Sequence, residues 1–329
     1  MKTPAAISRL AWFSKLIRTP AEKDTPRLGL CLSSGGARGL AHVGVIEVLE
    51  QENIPIAAIA GSSMGAYVGS LWAAGLKSEQ LIKLAKEIKD RRTLLRLLDP
   101  VFPPFTGLIR GDKVRKHLER SLGAMRFEDL PKPMLIVATD LDSMAPVIFD
   151  QGNVARAVQA SAAIPGICAP VTIDGRRYTD GGAAEPLPVT SLRSRFAVDH
   201  VIAVNVMPTT ADVISGPPDE PASLWNPFNW FNLMAPGHVM DTFRRSLLAA
   251  QIQIATREAH KAEVVLHPFF NGSRWYDFEH FDRYIQAGRD AARAALPQIR
   301  ALLDTKPKHA GGGYYETAPS HTPLGLVHA

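Results

Sequence analysis

Short runs of apolar residues recur along the chain, separated by longer stretches whose apolar positions repeat every three to four residues. Leu28–Leu32, Ile56–Ala60, Met134–Thr139 and Val201–Val206 are the clearest runs, and Glu263–Leu266 is a fifth candidate. Runs this short, apolar at successive rather than alternate positions, predict strands buried on both faces. Helical spacing follows the first run through Val45, Ile46 and Leu49. It follows the second to about Ala74, and continues from Lys77 to Leu98 with charges on one face. Strands alternating with helices predict an α/β fold, with a mostly parallel central sheet covered on both faces. Val171–Tyr178 reads as a hairpin turning at Asp174-Gly175, a pair suited to two-residue turns that require φ > 0.

The stretch Ile54–Leu76 carries no charged residue and has the length of a bilayer-spanning helix. Pro55, Gly61, Ser62, Ser63, Gly65, Gly69 and Ser70 interrupt it, so it is read as strand, turn and helix in the core. Residues 1–25 place Ile7, Leu10, Phe13 and Ile17 near helical spacing with Arg9, Lys15 and Arg18 among them. That pattern predicts a basic amphipathic segment lying on the protein or on a membrane. Its charges are too frequent for a signal-peptide core. Residues 211–236 form a Pro-rich insertion with Trp225, Phe228, Trp230 and Phe231, read either as a lid or interfacial contact or as packing over the domain's own surface. Residues 305–329, with Gly311–Gly313 and scattered Pro and His, are read as a disordered tail. One large domain over 26–304 remains.

Apolar residues make up 46% and charged residues 21%, a balance that permits a sizeable core. The net charge of +5 and pI of about 9.2 favour anionic partners. No basic stripe interleaved with stacking aromatics is present, which turns the reading from nucleic acid to a membrane surface. Cys31 and Cys168 stand far apart without C-x-x-C spacing, so neither a disulfide framework nor a zinc site is expected. The expectation is a cytoplasmic protein without signal peptide or transmembrane helix, either free or in peripheral contact with an anionic inner membrane surface.

Three motifs carry chemistry. Gly61-Ser62-Ser63-Met64-Gly65 lies between a predicted strand and a predicted helix, the context in which a sharp turn presents a serine hydroxyl as a nucleophile. Gly61 and Gly65 let the backbone turn tightly, and the dipole of the following helix favours negative charge at its start. Alone, the motif also fits an ordinary Gly/Ser start of a helix. Ser34-Gly35-Gly36-Ala37-Arg38-Gly39 follows the first strand, and successive glycine amides there form an anion-binding concavity. That is either a phosphate cradle or an oxyanion hole. The Walker Lys-Ser/Thr pair is missing, and a neighbouring nucleophile favours the oxyanion hole. Asp180-Gly181-Gly182 is the third motif; by itself it reads as an acidic turn. Of the ten histidines, His42 lies on an apolar stripe and is read as a core residue. His267 and His280 follow Asp180 and keep a Ser-Asp-His order formally open.

Taken together, SSGGARGLAHVGV, GSSMG and the later DGG resemble the patatin-like phospholipase family in order and spacing. GLIRG at 107–111, VATDLDS at 137–143, ASAAIPGICAPV at 160–171 and YTDGG at 178–182 are similar to its bacterial branch related to the neuropathy target esterase catalytic domain. The resemblance implies a patatin-like three-layer α/β/α fold. It also implies a catalytic dyad of Ser63 and Asp180 without a catalytic histidine, metal or other cofactor. Gly35, Gly36, Arg38 and Gly39 would form the oxyanion region. Gly61, Gly65, Gly181 and Gly182 would support the motifs. The substrate would be a phospholipid, lysophospholipid or other fatty-acyl ester. Ser34 replaces the family's usual first glycine; its backbone amide would still serve the hole, with strain if the position needs φ > 0. The alternatives are a regulatory or lipid-binding protein of the same fold with little turnover, an acyltransferase, and a histidine-triad hydrolase.

Overall fold

Eight strands form one mixed sheet in a computed structural model that describes residues 25–88, 99–103, 106–209, 239–270 and 276–308. The segment 1–24, the insertion at 211–236 and residues 309–329 lie outside the described residues. The strands are β1 (Leu28–Leu32), β2 (Ile56–Ser62), β3 (Met134–Asp140), β4 (Ala145–Phe149), β5 (Val171–Ile173), β6 (Arg176–Thr179), β7 (His200–Val204) and β8 (Val264–Leu266). Hydrogen-bonded neighbours run β5-β6-β3-β2-β1-β7-β8, with β4 also on β3. β1, β2, β3, β7 and β8 are parallel; β4, β5 and β6 join antiparallel. The hairpin turns where expected, with Asp174 at φ 50° and Gly175 at φ 80°.

Eight helices among the described residues cover the sheet. They are α1 (Ala41–Gln51), α2 (Met64–Ala73), α3 (Ser78–Ile88), α4 (Asp112–Leu122), α5 (Val154–Ser161), α6 (Val189–Arg195), α7 (Val239–Ala259) and α8 (Phe281–Leu303). Successive side chains on a strand point to opposite faces, and β1 shows the consequence. Leu28, Leu30 and Leu32 join the cluster packed by α1, α2, α4, α5 and α8. Cys31 joins the cluster on the other face, with Val189 and Leu192 of α6 and Ala255 of α7. Helices therefore lie on both faces, and the architecture is the three-layer α/β/α arrangement.

Small residues set the closest packing. A Cβ on Gly44 of α1 would come within 1.9 Å of the Ile285 carbonyl oxygen, and one on Gly288 of α8 within 2.0 Å of the Ala41 carbonyl oxygen. The backbones of these two helices touch only because both positions lack a side chain. Ile54–Leu76, the long uncharged stretch, resolves into β2, the turn at Ser63 and α2. Among the described residues no helix is long and apolar enough to cross a membrane. Residues 305–308, assigned to the tail by composition, are fastened to the domain. Thr305 Oγ1 lies 2.7 Å from His200 Nε2, and the Lys308 amide donates to Asp199 Oδ1 at 2.6 Å.

Candidate active site

The two motif residues meet because of how β3 is shared. β4 lines one edge of β3 from Ile136 to Asp140. β2, paired along Met134–Val137, and β6, paired at Thr139–Asp140, must therefore share the opposite edge. β2 runs up that edge to Ser62 opposite Val137; β6 runs down it to Thr179 opposite Thr139. The strands meet end to end, and the residues that leave them at the junction are Ser63 and Asp180.

Ser63 makes the turn from β2 into α2 at φ 53°, ψ −118°. This is a sparsely populated conformation for a residue with a Cβ and costs about 1–3 kcal/mol. Its hydroxyl caps no helix amide and is free to point across the junction. Close approach by the glycines makes the turn possible: a Cβ on Gly65 would lie 2.2 Å from the Leu32 carbonyl oxygen, and one on Gly61 2.7 Å from Ala66. The Ser63 amide donates to Ser161 Oγ at 2.8 Å, and that hydroxyl donates to the Val137 carbonyl at 2.6 Å.

Asp180 is only 4% exposed. Its Oδ2 accepts the Ser63 hydroxyl at 2.6 Å, across 117 positions of sequence, and its Oδ1 accepts the Gly182 amide at 2.7 Å. Its backbone is tied as well: its amide donates to the Ala163 carbonyl at 2.9 Å, and Thr139 Oγ1 donates to its carbonyl at 2.8 Å. Burial pushes the carboxyl up to about 6, although the bonds from Ser63 and Gly182 pull it down. A carboxylate so raised is a better base than an exposed one, and it remains ionised at neutral pH. A Cβ on Gly181 would lie 2.1 Å from the Val137 carbonyl oxygen, so this motif needs its glycine for proximity to β3.

The glycine-rich loop enters a 3-10 turn, Gly36–Leu40, with Gly35 at its N-cap and Gly36 at φ 58°. Amides at the start of such a turn have no partner within it, and Gly35, Gly36 and Arg38 line the same cleft as Ser63 and Asp180. Gly39 has a different place: it does not line the cleft, and a Cβ there would strike Met64 at 2.3 Å. Ser34 also departs from expectation. It is not among the residues with positive φ, so the substitution carries no strain of that kind. Its amide, however, donates to the Pro186 carbonyl at 2.8 Å and is not available to the hole.

The cleft has a volume of about 120 Å³. Beyond the glycine-rich loop and the Ser63–Asp180 pair, its walls are mostly apolar: Ile164, Pro165 and Ile167 on one side, and Phe243, Leu247 and Leu248 from α7 on another, with Arg244 and Gln251 of the same helix also lining it. The α7 positions fall at helical spacing on one face, which the sequence reading missed altogether. Among the described residues no histidine lines the cleft. His42 is fully buried in α1, its Nε2 bonded to the Ser33 carbonyl at 2.9 Å, and burial lowers it to about 4. It is a neutral core residue. His280 pairs with Asp277 at the start of α8, and His267 is exposed beyond β8.

Residues 30–193 match the sequence model of the family Patatin, described as patatin-like phospholipase. An uncharacterized NTE family protein of Mycobacterium tuberculosis is 43% identical over 183 residues, 56% of this chain and 50% of that one. The lysophospholipase NTE1 of Saccharomyces cerevisiae is 27% identical over 313 residues, 92% of this chain and 18% of that one. Among solved structures, VipD from Legionella pneumophila is similar with a TM-score of 0.45 at 15% identity, covering 87% of this chain and 69% of that one. The chain spans about half the length of the mycobacterial relative.

Proposed function

The chain belongs to the patatin-like phospholipase family, and from that membership we propose that it hydrolyses fatty-acyl esters of phospholipid or lysophospholipid type, with Ser63 as nucleophile and Asp180 as its base. The observation that carries the reading is the 2.6 Å bond from Ser63 Oγ to a buried carboxylate oxygen of Asp180. A serine hydroxyl is a weak nucleophile until an adjacent base takes its proton, and Asp180 is the group in contact with it.

In the reaction, Asp180 takes the hydroxyl proton as Ser63 Oγ bonds to the ester carbonyl carbon. The resulting oxyanion is held by the Gly35 and Gly36 amides; removing a donor of this kind typically costs about 10²–10³ in rate. Collapse breaks the bond to the leaving alcohol, which departs with the proton from Asp180. Water then attacks the acyl-serine, giving its proton to Asp180, and the fatty acid leaves as Ser63 regains that proton. Neither half-reaction uses a metal or another cofactor. The NTE1 relative, whose name is lysophospholipase, favours a single-chain phospholipid as substrate.

Hydrolysis of a lysophospholipid and of a short aryl ester tests this. Ser63→Ala and Asp180→Asn should each reduce kcat at least about 10³-fold, whereas His267→Ala and His280→Ala should retain wild-type rates. Full activity in Ser63→Ala would remove the assignment, and loss of activity in a histidine variant would reinstate a triad. Acyl transfer to an added alcohol acceptor, without release of free acid, would reveal an acyltransferase.

A further inference from the structure

We propose that Ser161 is a positioning residue for this reaction: its hydroxyl, at the C-terminal end of α5, holds Ser63 against β3 while Ala163, two residues on, holds Asp180, so that one three-residue segment sets the distance between nucleophile and base. The proposal rests on the reading of Ser63 and Asp180 given above, and it concerns what keeps them together.

The geometry is specific. Ser161 is wholly buried, and its hydroxyl uses both of its capacities. It accepts the Ser63 amide at 2.8 Å and donates to the Val137 carbonyl at 2.6 Å. The donor to Ser161 is thus the backbone of the strained residue itself. The Ala163 carbonyl accepts the Asp180 amide at 2.9 Å and Thr179 Oγ1 at 2.7 Å. Val137 belongs to both sides of the junction: its carbonyl takes the Ser161 hydroxyl, and Gly181 passes within close reach of the same oxygen. A strained backbone persists only where its surroundings over-determine it. Here the Ser161 bond is one of those restraints on the elbow. Without it, a buried N–H is left unpaired, and the relief available to the chain is rotation of the Ser63 peptide. That rotation carries Oγ away from Asp180.

Ser161→Ala removes one oxygen atom and leaves the packing volume close to unchanged; Ser161→Cys restores a weak donor and acceptor. Both are compared with wild type by steady-state hydrolysis of a short aryl ester and by the rate of Ser63 phosphonylation with a small fluorophosphonate, normalised to labelled enzyme. A small misplacement of reacting groups costs up to about 10²-fold. Ser161→Ala is therefore expected to lower kcat and the labelling rate by about 10- to 100-fold with KM within about twofold, and Ser161→Cys to fall between it and wild type. The ascending limb of the pH profile should also move to higher pH, because the Ser63 hydroxyl lowers the Asp180 carboxyl and loses its contact. A lower melting temperature with wild-type labelling rate and pH profile would overturn the proposal and leave Ser161 a packing residue. Labelling that persists in Ser63→Ala would instead overturn the underlying dyad, whatever Ser161 does.

Discussion

Ser63 at φ 53°, ψ −118° and Asp180 buried beside it both hold conformations or charges that the chain would avoid elsewhere. Removing either burden should stabilise the protein while abolishing turnover. Ser63→Gly, which relieves the backbone strain, is expected to raise Tm above that of Ser63→Ala; calorimetry on the two variants checks the order. Asp180 is raised from its ordinary value to about 6 by burial. A carboxyl raised on folding binds its proton more tightly in the native state, so its ionisation destabilises the fold as pH rises from about 4 to about 6. The cost is on the order of 3 kcal/mol. Asp180→Asn should accordingly be more stable than wild type at pH 8 and no more stable at pH 3.5. In wild type, kcat/KM should climb with pH through about 6 as the base form appears. Ser63 was legible in the sequence, since G-x-S-x-G between an apolar run and a helical pattern has a physical meaning of its own. Asp180 was legible only through the order of motifs shared with a family; D-G-G alone reads as a turn. Ser161 lies in the ASAAIPGICAPV segment that carries the resemblance, but nothing in that segment pointed to its bond with the Ser63 amide across 98 positions.

Among the elements, β1, β2, β3 and β7 were readable because both faces of the central sheet are covered, which makes them continuous apolar runs; β8, at the edge, alternates instead. β4 was not readable. Its five residues, Ala145–Phe149, are a short apolar run but include Pro146, and a proline within a run counts against a strand. α8 was missed for another reason: Gly288, Ala292 and Ala295 form much of its buried stripe and Pro297 sits inside it, which blurs both the apolar period and the continuity expected of a helix. α7 presents Phe243 and Leu247 to the cleft but keeps many other positions exposed. Its contribution belongs to this scale. In the acyl-hydrolase account, Leu247→Trp narrows the apolar channel. Hydrolysis of long-chain esters should fall at least about 10-fold relative to short aryl esters, since each buried methylene contributes roughly 0.8 kcal/mol. Equal loss on both substrates would place α7 outside the acyl path. Gly181→Ala, which forces a Cβ onto the Val137 carbonyl, should cost both stability and activity, with a lowered Tm as the readout.

At the scale of the molecule, the chemistry sits where a parallel sheet offers it. The glycine-rich loop follows β1 and the elbow follows β2, both at the carboxyl ends of strands, where α/β folds place ligands. The hairpin of β5 and β6 then supplies the carboxylate from the opposite direction, and that end-to-end meeting could not be read from local pattern. The charge of +5 and the basic amphipathic pattern of residues 1–25 motivate a further prediction: the 329-residue chain should co-sediment with anionic liposomes at low salt, and removal of those residues should weaken the association. Absence of binding at low ionic strength would remove the membrane from the account. The central claim, that Asp180 activates Ser63, is tested most directly by mapping the adduct and measuring the rate of fluorophosphonate labelling in wild type and Asp180→Asn. The account predicts a single adduct on Ser63, formed at least about 10³-fold more slowly in the variant. Labelling of the variant at the wild-type rate, or an adduct elsewhere in the chain, would contradict it.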